Sequence, residues 1–331
     1  MDKSLRIVGL DVGGTSMKAG VVDGAGRPLS NVTLPTEPEL GQEHGLATMC
    51  AAIRKAIAAA KLQPADIAAI GVATPGTMDL RTGYILDPPN LKPWHNVPVR
   101  DHIRAQFALP TVFQNDANAA AFGEYWAGAG VGVRSLVLFT LGTGIGGGII
   151  LDDRVLEGEH SHGGEIGHMK IAFDSPRECG CGKFGCLEAY ASAQAVVKRT
   201  YEALAADAGV SKLHTWPRTD GELTARDIFE AAAKGDALAE RIFDETAFFL
   251  ALGASNLMHV IDPEIIVFGG GMIAAGELLL QRIRRHVPRV AFPVPAALTR
   301  ISFAKLGNDA GFIGAAGCAK FLLKKGNLGL S

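Results

Sequence analysis

Residues 5–22 read LRIVGLDVGGTSMKAGVV, and residues 136–151 read LVLFTLGTGIGGGIIL. In each, an apolar run of strand composition meets a turn of Gly and Thr, and a second apolar run follows. The first run, Leu5 to Leu10, ends at Asp11, Gly13, Gly14 and Thr15; Lys18 to Val22 returns. The second, Leu136 to Leu141, ends at GTGIGGG and returns through Ile149 to Leu151. Gly142, Gly144 and Gly147 satisfy G-x-G-x-x-G, but that dinucleotide motif requires a helix after the turn, and here a strand follows. No G-x-x-x-x-G-K-[ST] run occurs. The same device opening both halves of the chain points to a structural duplication.

Between the two devices the pattern alternates. A strand is predicted at Leu29–Leu34, and a helix is marked by Leu46, Met49, Cys50, Ile53, Ile57 and Ala60. A buried strand follows at Ile67–Val72, running into Thr74-Pro75-Gly76. After the proline-rich segment Asp87–Pro98, with Asn90 and Trp94, come a helix at Val99–Phe107 and a strand at Thr111–Gln114. That strand delivers Asn115, Asp116 and Asn118 to a helix at Ala117–Trp126. In the second half, helices are predicted over Leu187–Leu204, Thr224–Lys234, Ala237–Val260, Gly276–His286 and Asp309–Leu323. Strands are predicted at Ile265–Phe268 and Thr299–Phe303. This order is α/β, with loops at the carboxyl ends of strands where ligands bind.

The chain has 331 residues, 48% hydrophobic and 20% charged, with a formal net charge of −2 and no basic cluster. That length suggests two domains, and the charge leaves no footprint for nucleic acid or an anionic membrane. Leu5–Leu10 is too short for a signal peptide. Ala247–Val260 is interrupted by Gly253, Ser255, Asn256 and His259 and falls short of a membrane span. A cytoplasmic protein is expected.

The third signal is residues 163–188, GGEIGHMKIAFDSPRECGCGKFGCLE. Cys179, Cys181 and Cys186 are separated by glycines that let the backbone turn each sulfur to one point, and His168 could complete a tetrahedral, closed structural Zn²⁺ site. A disulfide between two of the cysteines is the alternative. Folding about a metal would bring Glu165 and Glu188 to the same place; alone, each reads as a solvated charge. Asp116, at a strand end and helix start, is either an N-cap or a carboxylate for chemistry. Either glycine hairpin could be a plain turn or a phosphate cradle, with Asp11 suited to Mg²⁺ and Thr143 on the second turn. The glycine run 269–271 could border a nucleoside or simply turn the chain.

The set LDVGGTSMK, TPG, PNLKPWHN, QNDANAA, LGTGIGGG, GEIGHM, CGCGKFGCLE, VFGGG and DAGFIGAA, in this order, resembles the ROK family of sugar kinases and related repressors. That family lies within the actin-like ATPases of ribonuclease-H-like fold. The resemblance implies a two-domain α/β fold with a cleft between a small domain, 1–117 plus 309–331, and a large one, 118–308, carrying the zinc loop. It implies that Asp116 is the general base in ATP-dependent phosphorylation of a hexose. Gly76, Asn90, Asn115, Asp116, Glu165, His168 and Glu188 match sugar-contacting positions. Gly13, Gly14, Thr15, Lys18, Thr143, Gly144, Gly270 and Gly271 match nucleotide-contacting positions, and Asp11 the position near Mg²⁺. His168, Cys179, Cys181 and Cys186 match the zinc ligands, with the second ring nitrogen of His168 on a sugar hydroxyl. A homodimer is expected from the family.

Among the sugars, PNLKPWHNVPVRDHI and the pairing of GEIGH with the full cysteine set look most like the glucokinases. N-acetylmannosamine, N-acetylglucosamine, mannose and fructose kinases are the alternatives. EGEHSHGG at 157–164 departs from the usual small-residue loop; its Glu159, His160 and His162 either shape the pocket rim at the sugar's 2-position or are solvated. A sugar-responsive transcriptional repressor is the reading from another class. Such proteins carry a winged helix ahead of the first strand, and with the first strand at about Leu5 no room for one is expected here.

Overall fold

The apolar run after Leu5 forms β1 (Arg6–Val12), which turns at Gly13 and Gly14 into the antiparallel β2 (Ser16–Asp23), setting Asp11 opposite Lys18. The computed structural model describes residues 4–206, 211–217 and 221–324. β3 (Val32–Pro35) pairs with β2 and begins later than the sequence pattern predicts. The reason is local: the N–H groups of Leu29 and Ser30 donate to the Val21 carbonyl in a turn. β4 (Ala69–Thr74) and β7 (Thr111–Asn115) extend the sheet in parallel with β1, giving the order β3-β2-β1-β4-β7. The parallel strands therefore end together, at Val12, Thr74 and Asn115.

α1 (Gln42–Ala59) and α2 (Val99–Phe107) share the first hydrophobic core with the inward residues of this sheet. Trp94 is buried in that core, against Gly45, and its Nε1 donates to the Pro38 carbonyl at 3.2 Å. A small hairpin, β5 (Thr77–Asp79) with β6 (Tyr84–Asp87), precedes α2. α3 (Asp116–Ala127) and α10 (Ala310–Lys324) pack backbone to backbone. A Cβ added at Gly314 would lie 1.6 Å from the Ala119 carbonyl oxygen, and one at Gly9 1.8 Å from that of Phe312. Only glycine allows this approach, so the run GFIGAAGCA in α10 reads as a docking face.

The second strand–glycine–strand device builds the second sheet. β8 (Ser135–Leu141) is flanked by β9 (Ile145–Leu151) and, in parallel, by β11 (Ile265–Gly269), which pairs in parallel with β12 (Arg300–Phe303); β10 (Arg154–Val155) borders β9. The order β10-β9-β8-β11-β12 repeats that of the first sheet strand for strand, which is the duplication the glycine hairpins suggest. The predicted helix Leu187–Leu204 is two helices, α4 (Glu188–Ala191) and α5 (Ala193–Ala206). Ser192 breaks it in an extended conformation, and its hydroxyl accepts the Ala195 N–H at 3.2 Å. α6 (Ala225–Ala233) starts at a Thr224–Asp227 capping box and α7 (Ala237–Ile261) at an Asp236 cap. α8 (Glu277–His286) and α9 (Pro293–Leu298) complete the helices, α9 without a counterpart in the sequence pattern. Among the described residues no helix is long and apolar enough to cross a membrane.

The chain forms two compact units. Unit 1 comprises residues up to Ser135, Gly148–Gly164 and those from Lys305 onward; unit 2 comprises Leu136–Gly147 and Glu165–Ala304. This division differs from the expected boundaries at 117/118 and 308/309. The docking of α3 on α10 keeps α3 within unit 1.

Candidate active site

In unit 1, the candidate residues gather at the carboxyl ends of β1, β4 and β7. Asn115 caps α3: its Oδ1 accepts the N–H groups of Ala117 at 3.0 Å and Asn118 at 3.1 Å. The N-cap role open to Asp116 on sequence alone thus falls to Asn115. Asp116 is the first helical residue, half-buried, with Oδ1 accepting the Ala117 N–H at 2.8 Å. Asn118 is buried, its Nδ2 3.4 Å from Gln114 Oε1, so it is a core residue rather than a group presented to hydroxyls.

Asp11 lies close enough to Asp116 for the two carboxylates to feel each other's charge. Burial and then Asp116 push the Asp11 carboxyl up to about 7, with Lys18 opposing. The first turn of α10 abuts Asp11, since a Cβ at Gly311 would lie 2.1 Å from Asp11 Oδ2. Lys18 itself donates to Asp309 Oδ1 at 2.5 Å. Its ammonium is therefore tied to the approach to α10 as well as being a candidate for nucleotide. Gly13 closes the hairpin through its N–H to the Ser16 carbonyl at 2.9 Å, and Thr15 is exposed. Gly14 lies against Asn90, to whose carbonyl oxygen a Cβ would approach to 3.0 Å. The buried Trp94 anchors the segment that leaves Asn90 exposed. Gly76, at φ 93°, packs on Pro88.

Unit 2 brings the cysteine cluster together. The ligand atoms of His168, Cys179, Cys181 and Cys186 all lie within 4.8 Å of one another. Cys181 Sγ is 3.8 Å from Cys186 Sγ, and Cys179 Sγ is 3.8 Å from His168 Nδ1. A zinc–sulfur distance of about 2.3 Å gives a tetrahedral edge of about 3.8 Å, so donors and spacing fit Zn²⁺. All three cysteines are free, which removes the disulfide alternative. Burial pushes the Cys179 thiol up to about 12, a cost that a coordinated metal would overcome. Lys170 Nζ lies 2.9 Å from Cys186 Sγ. Its positive charge opposes the net negative charge of a three-thiolate zinc site. Nothing in the sequence pattern singles out Lys170; the short bridge between Lys170 and Cys186 is what places it there.

With Nδ1 of His168 facing the sulfurs, Nε2 is turned the other way, 3.9 Å from the Glu165 carboxylate. Glu188 joins this loop to the second glycine hairpin. Its Oε2 accepts the Ile145 N–H at 2.8 Å, and a Cβ at Gly144 would lie 2.3 Å from that oxygen. Gly270, at φ 88°, packs on Leu141 immediately before the hairpin; Gly271 follows it, and Gly271 and Thr143 are exposed. One candidate nucleotide residue of unit 2, Gly144, is thus in contact with a candidate sugar residue, Glu188.

The sequence pattern of the ROK family matches residues 7–321. The chain belongs to the ROK family. It is 37% identical over 307 residues to a glucokinase of Halalkalibacterium halodurans, covering 93% of this chain and 92% of that one. A ROK family glucokinase from Streptomyces griseus, solved with glucose and AMPPNP, superposes with a TM-score of 0.74 at 35% identity, covering 95% of this chain and 99% of that one. A xylose repressor of Caldicellulosiruptor bescii is 34% identical over 265 residues, 79% of this chain and 65% of the repressor. The ROK family thus holds both classes weighed from the sequence. The fold is the two-part, actin-like α/β architecture expected of it.

Proposed function

We propose that this chain transfers the γ-phosphoryl group of ATP to a hexose, glucose first among the candidates, and that it does so in the cytoplasm. The observation that carries the reading is the pairing of Asp11 and Asp116 at the ends of two parallel strands. One carboxylate is suited to a cation and the other, held on a capped helix start, to a hydroxyl proton. Asp116 would accept the proton of the attacking sugar hydroxyl, and Asn90, Asn115 and Gly76 would orient the ring. Glu165, His168 and Glu188 would take further hydroxyls. His168, with Nδ1 turned to the cysteines, offers Nε2. Zn²⁺ held by His168 and the three cysteines would fix that tautomer and the shape of the loop. Mg²⁺ when bound neutralises phosphate charge, and Asp11 is the residue suited to hold it. Gly14 and Thr15 on the first glycine turn, which Gly13 closes through its own N–H, and Thr143 and Gly144 on the second would offer backbone N–H groups to phosphate oxygens. Gly270 and Gly271 would border the nucleoside.

Glucose is favoured by the similarity of the chain to glucokinases. The test is kcat/KM with ATP for glucose, mannose, fructose, N-acetylglucosamine and N-acetylmannosamine. A clear preference for glucose is expected; preference for an acetylated hexosamine would move the substrate and keep the chemistry. No ATP turnover with any of them by folded, zinc-loaded protein would sink the kinase reading in favour of a sensor. Asp116→Asn should keep the fold, zinc and sugar affinity by calorimetry while losing the general base contribution, about 10²–10⁴-fold in kcat.

A further inference from the structure

The segment Glu157–Gly164 is closed on itself. The Gly163 N–H donates to the Glu157 carbonyl at 2.7 Å, and a Cβ at Gly163 would lie 2.1 Å from the Leu156 carbonyl oxygen, so the closure needs glycine there. Two contacts fasten it to the hairpin before α2. The Leu80 N–H donates to Ser161 Oγ at 3.1 Å, and Arg81 lies 3.5 Å from Glu159. The second joins two well-exposed side chains and holds little. Glu159, His160 and His162 are exposed.

Glu157 differs from them. Its Oε1 accepts a hydrogen bond from Gln114 Nε2 at 2.8 Å, and Gln114 is only 2% exposed. On the other side of the same amide, Gln114 Oε1 accepts the Asn115 N–H at 2.8 Å and faces Asn118 Nδ2 at 3.4 Å. The amide cannot flip, because a carboxylate has no proton to give and a backbone N–H cannot accept. Every polar atom of Gln114 is thus committed, with a charge-assisted bond on one side and the strand end carrying Asn115 and Asp116 on the other.

We propose that Gln114 and Glu157 are a positioning pair, which locks the end of β7 so that Asn115 and Asp116 are held in the geometry phosphoryl transfer needs. The inference rests on the assignment of Asp116 as general base. It gives the EGEHSHGG segment a function: the segment carries the carboxylate that orders β7 from outside. A displacement of the base on the order of 1 Å is enough to cost two orders of magnitude in rate.

The test uses the reversibility of the bond. Gln114→Glu sets carboxylate against carboxylate, while its remaining oxygen still serves Asn115 and Asn118. Gln114→Glu combined with Glu157→Gln restores a hydrogen bond of opposite sense. In Gln114→Glu, kcat for hexose phosphorylation should fall on the order of tenfold, with KM for ATP unchanged. Amide hydrogen exchange at Asn115, Ala117 and Asn118 should accelerate. The double variant should recover both. Glu157→Ala, changed only at the exposed partner, should shift both readouts in the same direction as Gln114→Glu and covers the case in which Gln114→Glu does not fold. Native kcat and exchange in Glu157→Ala, or a double variant no better than Gln114→Glu, would overturn the pair. Exchange is read without turnover. A failure of the base assignment, seen as retained activity in Asp116→Asn, is therefore distinguishable from a failure of the pair.

Discussion

Asn115 and Asp116 are adjacent, and the division of labour between them is decided by one backbone feature. The chain is extended at Asn115 and helical at Asp116, so the cap falls to the asparagine and the aspartate carboxylate is left on the first turn. Asp11 is tuned by its surroundings in the opposite sense to most surface carboxylates. Its pKa of about 7 in the folded protein stands above the ordinary 3.8, through burial first and the Asp116 charge second. The folded state therefore binds this proton more tightly than the unfolded chain. Without metal, stability falls as pH rises from about 4, and the full cost is present above about 7. Asp11→Asn should melt above the native protein in chelator at pH 8, and by less at pH 5, while losing Mg²⁺-dependent turnover. Melting differences identical at the two pH values would show that Asp11 does not titrate as its burial requires.

At the scale of elements, the zinc loop and the second glycine hairpin form one construction, because the Glu188 carboxylate is bonded to the Ile145 N–H and also lies 3.4 Å from Cys179 Sγ. Cys181→Ala removes one of four donors at the exposed side of the cluster. Zinc content should drop by atomic absorption, and hexose affinity by calorimetry should weaken on the order of tenfold or more as His168 and Glu188 lose their fixed aim. Sugar affinity surviving zinc loss would separate the loop from the site. Both ends of this construction were legible in the sequence, since cysteine spacing and the Gly–Thr turn are local signals. The join between them was not. Glu188 and Ile145 are 43 positions apart, and nothing in GTGIGGG announces that Gly144 is small because a carboxylate lies against it. The same limit explains α4 and α5, where helical periodicity ran across Ser192 although the serine hydroxyl caps a second helix.

At the scale of the molecule, the repeat of strand order was readable from two similar hairpins, but membership of α3 was not, because it depends on Ala119 meeting Gly314 near the other end of the chain. One buried group in unit 1 carries much of that long-range closure. Glu124 is fully buried on α3, and its carboxylate accepts the Ala129 N–H at 2.8 Å and the Leu306 N–H at 2.7 Å. It also accepts the Lys305 N–H, at 2.9 and 3.0 Å to its two oxygens. The chain leaves unit 1 after Ser135 and finally returns at Lys305, so this carboxylate fastens the returning strand of chain to the stretch just after α3. Glu124→Ala leaves three backbone donors without their acceptor in a buried place, each worth about 1–3 kcal/mol when orphaned. Water entering the space offsets part of that, and a loss on the order of 3 kcal/mol in urea unfolding is expected. Glu124→Gln keeps one acceptor oxygen but turns an NH₂ group toward a backbone donor, so it should fall between the two. If alanine and glutamine cost the same, the acceptor geometry would not be what matters and the volume of the side chain would be. If alanine costs less than about 0.5 kcal/mol, the return of the chain is held by the glycine face of α10 alone.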